Sequence, residues 1–242
     1  MKLDEAKKLQ QKKYRQSLGY FLVEGEHLVL ELEKAAASNP HWQQAQLFVT
    51  SAYQDWPGVW PKQRLTDTQM AQLADTRTPQ GIIAVAALPP AASTAAVAGE
   101  KAVYLHEVQD PGNLGTILRT LAWFGGFRCL LSPGSVDPYN PKVVRASMGA
   151  IFHVPLETEV SLDTLASRYP RIACLDIGGD AITHPDFHQY DGYLFGNEAR
   201  GVPVEALDAL NARRFTIPGA AAVESLNLAS AVNMAAYELN RS

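Results

Sequence analysis

The sequence predicts an α/β protein. Its second part reads as a parallel sheet with helices on both faces, and a smaller α/β domain precedes it. Three features of the sequence predict this. From Ala102 onward, short apolar segments alternate with helical patterns, as a parallel sheet with crossover helices requires. Residues 88–100, LPPAASTAAVAGE, have the composition of a linker. The chain of 242 residues is 47% hydrophobic and 19% charged, which excludes wholesale disorder. Domains are expected at 1–88 and 101–242, with 89–100 as the linker.

In the first part, Leu3–Ser17 predicts a polar helix and Phe21–Val23 a strand. Glu26–Ala37 predicts a helix, and Leu47–Thr50 and Gly81–Ala86 predict apolar strands. Asp67–Ala74 predicts a short helix capped by Thr66 or Asp67. In the second part, strands are expected at Ala102–Val108, Cys129–Leu131, His153–Leu156, Ile172–Ile177, Tyr193–Phe195 and Phe215–Ile217. Helices are expected at Leu114–Phe124, Val143–Ser147, Leu162–Tyr169, Pro203–Leu210 and Leu226–Leu239. The first of these carries Leu114, Ile117, Leu118, Leu121 and Phe124 at helical spacing.

Several classes fall away on composition. No apolar run reaches the ~18–20 residues of a membrane span, and the N-terminal stretch has no apolar core of a signal peptide. Cys129 and Cys174 cannot make a disulfide framework. They sit in apolar runs, where a free cysteine behaves as a small buried hydrophobe. A cytoplasmic location is the expectation. The net charge of −4 gives no bulk support to nucleic-acid binding. Residues 1–16, however, hold six basic side chains against two acidic ones. A phosphate-binding surface would have to be local, drawn from Lys7, Lys8, Lys12, Lys13, Arg15, Arg119, Lys142, Arg145 and Arg200. Trp42, Trp56 and Trp60 are read first as core residues and only second as platforms for bases.

In open parallel sheets, ligands bind beyond the carboxyl ends of the strands, so the loops after strands carry the functional reading. One runs Gln109–Asp110–Pro111–Gly112–Asn113 into a helix bearing Arg119, with Asn113 as a candidate cap. Another runs Gly196–Asn197–Glu198–Ala199–Arg200–Gly201, with glycines flanking a Glu and an Arg. It is neither a P-loop nor a dinucleotide fingerprint. A further loop leads from Ile217–Pro218 to Ser225–Leu226–Asn227, with Ser225 a candidate cap for an Ala-rich helix. Each of them alone reads equally as an ordinary capped turn.

Their order and co-occurrence resemble the SpoU (TrmH-like) branch of the SPOUT RNA methyltransferases. The matching motifs are Asn113 with Arg119, Gly196-Asn197-Glu198 with Gly201, and Ile217-Pro218 followed by Ser225-Leu226-Asn227. The stretches Phe21–Gly25 and Thr78–Ile82 resemble the L30e-like substrate-binding domain that precedes this catalytic domain in several members. The resemblance implies methyl transfer from S-adenosylmethionine to a ribose 2′-hydroxyl of RNA, with 23S ribosomal RNA as the favoured substrate. It also implies a C-terminal trefoil knot and a homodimer. Asn113, Arg119, Glu198, Ser225 and Asn227 would be the catalytic set. Backbone around Leu175, Gly196, Ile217 and Leu226 would hold the cofactor. No metal is expected: His184 and His188 are spaced for a metal but have no third ligand nearby. Two alternatives stand beside this reading. One is a transfer-RNA 2′-O-methyltransferase, and the other a non-catalytic RNA-binding or ribosome-assembly protein on the same fold.

Overall fold

A computed structural model describes residues 1–90, 99–220 and 224–241. Most of the expected linker, residues 91–98, lies outside the described residues. The chain forms two compact units. The first is Met1–Pro90 together with Asp137–His153. The second holds the remaining described residues.

The first unit opens with α1 (Leu3–Lys8) and α2 (Lys12–Leu18). The sequence predicts one continuous helix here; the structure breaks it around Leu9–Gln11. Arg15 explains the break. Its side chain is buried, and its Nη1 donates back to the Leu9 carbonyl at 2.7 Å, which caps the end of α1. Then follow β1 (Tyr20–Glu24), α3 (Glu26–Ser38), β2 (Ala45–Val49), β3 (Lys62–Arg64), α4 (Asp67–Leu73) and β4 (Ile82–Ala87). The sheet order is β1-β4-β2-β3, with only β2 and β3 parallel. The short polar β3 has no apolar pattern and is not predicted from the sequence. Thr66 caps α4 in a capping box with Gln69.

The motif residues of this unit turn out to be scaffolding. Glu24 is buried; its carboxylate accepts from the backbone of Asp75 at 2.8 Å and from the Thr76 hydroxyl. Gln80 accepts from the Glu26 amide at 2.9 Å and so clasps the turn into α3. The tryptophans pack as the simpler reading expects. Trp42 is buried and donates to the Phe152 carbonyl at 3.2 Å, Trp60 donates to the Gln43 carbonyl at 2.8 Å, and half-buried Trp56 donates to Glu33 at 2.9 Å.

The second unit begins with β5 (Lys101–Leu105), α5 (Pro111–Phe124) and β6 (Phe127–Leu131). The helix α6 (Pro141–Ser147) comes next, but it lies in the segment Asp137–His153 and so belongs to the first unit. The sequence reading puts this segment with the second part. Side chains decide otherwise. Arg15 donates to Asp137 at 2.5 Å, Arg145 pairs with Asp75 at 2.7 Å, and Phe21 packs on Tyr139 at 5.0 Å between ring centroids. Arg15, buried with its carboxylate, therefore drops out of the expected phosphate-binding surface.

The second unit resumes with β7 (Leu156–Glu157), α7 (Leu162–Arg168), β8 (Ile172–Ala181), β9 (Gly192–Phe195), α8 (Val204–Ala209), β10 (Arg213–Thr216) and α9 (Leu228–Asn240). The strand expected at His153–Leu156 is displaced, because His153 closes a 3-10 turn and only Leu156–Glu157 pairs with β6. All six strands are parallel, in the order β10-β8-β9-β5-β6-β7, and helices flank the sheet. Ala102, Tyr104, Leu130, Cys174 and Leu194 pack against Leu165 of α7 and Leu207 of α8. The strand β8 is longer than predicted, since it pairs with β10 up to Cys174, loops out over residues 175–179, and pairs again at Asp180. Gly179 makes the rejoining possible. A Cβ there would lie 2.3 Å from the Arg214 carbonyl oxygen.

Breaking the buried Arg15–Asp137 pair strands a guanidinium that is 2% exposed. Removing one partner of such a pair costs about 3–5 kcal/mol. Asp137→Ala is expected to lose that much in a urea titration; a loss below about 1 kcal/mol would place the pair among surface bridges. Burial pushes both cysteine thiols up to about 12. The reactive thiolate is thus absent near pH 8 (about), and thiol reagents should modify neither cysteine in the native protein and both after denaturation.

Candidate active site

The sheet order explains where the site lies. β5 and β9 are far apart in sequence but neighbours in the sheet, with Leu105 beside Phe195. From β5 the chain moves outward through β6 and β7, then returns to the other side of β5. This reversal is the switch point at which open parallel sheets bind ligands. The loops after β5 and β9 therefore face each other at the carboxyl ends of the strands. The His106 amide fastens them further, donating to the Phe195 carbonyl at 2.8 Å.

A chain of hydrogen bonds crosses this crevice. Glu198 accepts from Asn113 Nδ2 at 3.2 Å, and from the amides of Gln109 and Asp110 at 3.4 Å each. Asn113 Oδ1 accepts from Asn227 Nδ2 at 2.9 Å. Asn227 Oδ1 accepts from the Ser230 amide at 3.2 Å, as the cap of α9. A carboxylate only accepts, so Glu198 dictates which way the Asn113 amide points. Asn113 in turn fixes the direction of Asn227. Three expected site residues are thus joined: Asn113, Glu198 and Asn227.

The sequence misplaces both caps, by three residues at α5 and by two at α9. Asp110, not Asn113, caps α5, accepting from the Asn113 amide at 2.7 Å, with Pro111 opening the helix. Asn227, not Ser225, caps α9. Both errors have one cause: adjacent Asp, Asn and Ser residues compete for a cap, and tertiary contacts decide among them. Freed from capping by its neighbour, Asn113 can reach Glu198. Ser225 is exposed and makes no hydrogen bond among the described residues.

Arg119 is exposed on α5 and likewise has no hydrogen bond or ion pair among the described residues. Glu198 has no basic partner among the described residues; its partners are amides. The ion pair of these loops is Arg200 with Glu107, at 2.6 Å. Glu107 lies outside the quoted motifs, and Asn197 and Gln109 lie within the quoted loops but are given no role there. Asn197 is buried, donates to the Glu107 carbonyl at 2.8 Å, and accepts from the amides of Ala199 and Arg200. Gln109 Nε2 donates to the carbonyls of Glu107 and Gly134 at 3.0 and 2.8 Å. A positive φ at Glu107 is a conformation that sequence alone does not reveal.

The residues expected around a cofactor lie at one edge of the crevice. Leu175 ends the paired run of β8 in register with Phe195, and Gly196 follows β9 directly. Ile217 follows β10 directly, and β10, β8 and β9 are consecutive in the sheet. Leu226, 45% exposed, lies just before α9. A cleft of about 400 Å³ adjoins Ile217 and Pro218 and is lined also by Phe124, Met234 and Tyr237. Among the described residues no cluster of His, Cys, Asp or Glu could hold a metal ion. None of their helices is long and apolar enough to cross a membrane.

The fold and this site define the class. A protein of the TrmH family from Porphyromonas gingivalis has a similar structure, with a TM-score of 0.82 at 31% identity over 98% of this chain and 96% of that one. The SpoU methyltransferase AviRb of Streptomyces viridochromogenes shares the fold at a TM-score of 0.83 and 21% identity, over 98% of this chain and 96% of that one. Residues 100–237 match the SpoU rRNA Methylase family, and residues 2–84 match the MRM3-like substrate binding domain. The chain belongs to the SpoU rRNA methylase family. Among curated relatives, the 23S rRNA (guanosine(2553)-2'-O)-methyltransferase RlmP of Bacillus subtilis is 30% identical, over 98% of this chain and 95% of that protein. A tRNA/rRNA methyltransferase of Synechocystis, uncharacterized, is also 30% identical, over 98% of this chain and 89% of its own length.

A methyl group on Gly196 would lie 2.5 Å from the Gly201 carbonyl carbon and 2.8 Å from the Val202 nitrogen. Both are backbone atoms, so the loop must open. Gly196→Ala is expected to break the Asn197–Gly201 backbone pair and to raise exchange of the Gly201 amide by about tenfold, read by hydrogen–deuterium exchange. Unchanged protection would mean that the loop absorbs the methyl group.

Proposed function

We propose that this protein transfers the methyl group of S-adenosylmethionine to a ribose 2′-hydroxyl of RNA, with 23S ribosomal RNA as its substrate. The observation that carries this is the Asn227–Asn113–Glu198 chain at the switch point of a SpoU-family sheet. The substrate class draws support from the B. subtilis relative, named as a 23S rRNA 2'-O-methyltransferase, and from the MRM3-like first domain. The cofactor site fits as well. The ends of β8, β9 and β10 bring half-buried Leu175 and Ile217 beside Gly196, a setting suited to an adenine held by main-chain groups. When bound, the sulfonium supplies an electrophilic methyl group and carries its own leaving group.

The chain's own residues do the rest. A ribose hydroxyl is a poor nucleophile and must be held in line with the methyl carbon, at about 3–3.5 Å. Arg119, without a partner among the described residues, binds the phosphate beside the reacting ribose and stabilises the charge that develops on its oxygen. Glu198 and Asn113 hold the two loops in one arrangement, and Asn227 brings the start of α9 to them. Ser225, exposed ahead of that cap, completes the set as a donor to the RNA.

The same reading extends to assembly. The buried face of α9, including Val232, Ala235 and Ala236, is covered within the chain, where α9 packs on α5. A homodimer would instead use Trp123, Met234 and Tyr237, which are 85%, 43% and 59% exposed. The stretch looped out of β8 and the Ile217 loop are where a trefoil knot would thread, and the cytoplasm is the compartment that suits the substrate. A transfer-RNA reading draws on the Synechocystis relative, named for both tRNA and rRNA, and on a partial structural match. A structure titled for 2-OH methylation of C/U34 on tRNA matches 58% of this chain at 32% identity and a TM-score of 0.53.

The test is methyl transfer from labelled S-adenosylmethionine to unmodified 23S rRNA and to transfer RNA, followed by nucleoside analysis. A 2′-O-methylnucleoside in 23S rRNA is expected; label in a base, or in transfer RNA alone, contradicts the proposal. Arg119→Ala should lose about 100-fold or more in rate while calorimetry shows cofactor binding within about twofold of wild type. Wild-type rates from Arg119→Ala would remove Arg119 from the reaction.

A further inference from the structure

We propose that Arg200 is a second contact for an RNA phosphate, and that Glu107 is the residue that positions it. This rests on the RNA methyltransferase reading above. Arg200 lies two residues after Glu198, and its side chain is 72% exposed. One guanidinium nitrogen, Nη2, donates to Glu107 at 2.6 Å. Its other side-chain donors have no partner among the described residues. Most other paired arginines are more fully bound. Arg213 is held by Asp180 and Asp186, Arg128 by Glu100 and Glu157, and Arg168 by both oxygens of Glu157. In the loops of the crevice, Arg119 and Arg200 are the cations with donors to spare, and such a fork suits a phosphate.

Glu107 shows that the arrangement is built. It takes φ of +50°, a left-handed conformation uncommon for a residue with a side chain. Several hydrogen bonds hold it there. Its amide donates to Ser132 Oγ at 2.7 Å, and its carbonyl accepts from Asn197 at 2.8 Å and from Gln109 at 3.0 Å. A glycine would make this turn without strain. What glutamate adds is the carboxylate, and the carboxylate is spent on Arg200. The pair is not needed to close the loop that carries Arg200. That loop is closed by Asn197 and Gly201, whose amides donate to each other's carbonyls at 3.1 and 2.9 Å. An exposed ion pair also adds little to stability. Its effect is to hold a guanidinium in one place beside the site.

The test uses the full chain, unmodified 23S rRNA transcribed in vitro, and the variants Arg200→Ala, Arg200→Lys, Glu107→Gln and Glu107→Gly. Arg200→Ala should raise KM for RNA about tenfold, keep kcat within about twofold, and flatten the salt dependence of RNA binding by about one phosphate contact. Arg200→Lys should recover part of the loss. Glu107→Gly should melt no lower than wild type, because its backbone is relieved, yet raise KM for RNA severalfold, as should Glu107→Gln. Cofactor affinity should hold in all four. A wild-type KM and salt slope in Arg200→Ala, with wild-type turnover intact, overturns this assignment alone. So does a Glu107→Gly variant that loses cofactor affinity and kcat together, since that is the mark of a purely structural tie. A wild type that neither binds nor methylates RNA overturns the functional proposal, and this one with it.

Discussion

The arrangement of the site depends on one acceptor. Glu198 has no hydrogen to give, so each group around it must turn a donor towards it: the Gln109 and Asp110 amides and the Asn113 side chain. That requirement orients Asn113, and Asn113 orients Asn227 at the head of α9. Three segments, the outermost 114 residues apart in sequence, thus become one directional network. A polar network of this kind specifies a single arrangement when every member is satisfied. It also gathers negative charge at the start of α5, where Asp110 caps the helix and the macrodipole favours it.

The network can form only because of the sheet. β5 and β9 are adjacent although four other strands lie outside them in the order, and the loops after them meet for that reason. The strained turn at Glu107 and the close approach of Gly196 to Gly201 belong to the same crevice. Strained backbone of this kind persists where surrounding contacts over-determine it, and it clusters at functional sites. Meanwhile Arg15 and Arg128 are buried in pairs with carboxylates, whereas Arg119 and Arg200 are exposed beside the crevice.

Much of this was legible in the sequence. Alternating apolar segments specify the parallel sheet, because buried strands and amphipathic helices have different periods. The three loops could be named because Gly, Pro, Asn and Asp mark the turns that leave strands. What was not legible was decided by contacts between distant residues. Asp110 rather than Asn113 caps α5 because Asn113 has a partner across the crevice. The helix at Leu3–Ser17 breaks because Arg15 finds Asp137 and the Leu9 carbonyl. The segment Asp137–His153 packs with the first unit through single pairs that no periodicity encodes. Glu107 falls within the strand expected at Ala102–Val108, but β5 ends at Leu105 and Glu107 turns at positive φ, so its part lies in a backbone angle and in the carbonyl it presents.

The most direct test of the account is a double-mutant cycle between Asn113 and Glu198, with Ala at each position alone and at both, read as the rate of methyl transfer to 23S rRNA. If the two residues act as one network, their effects should be non-additive by about 1–3 kcal/mol. Effects that sum to within about 0.5 kcal/mol would show that the loops are held independently and would contradict the account.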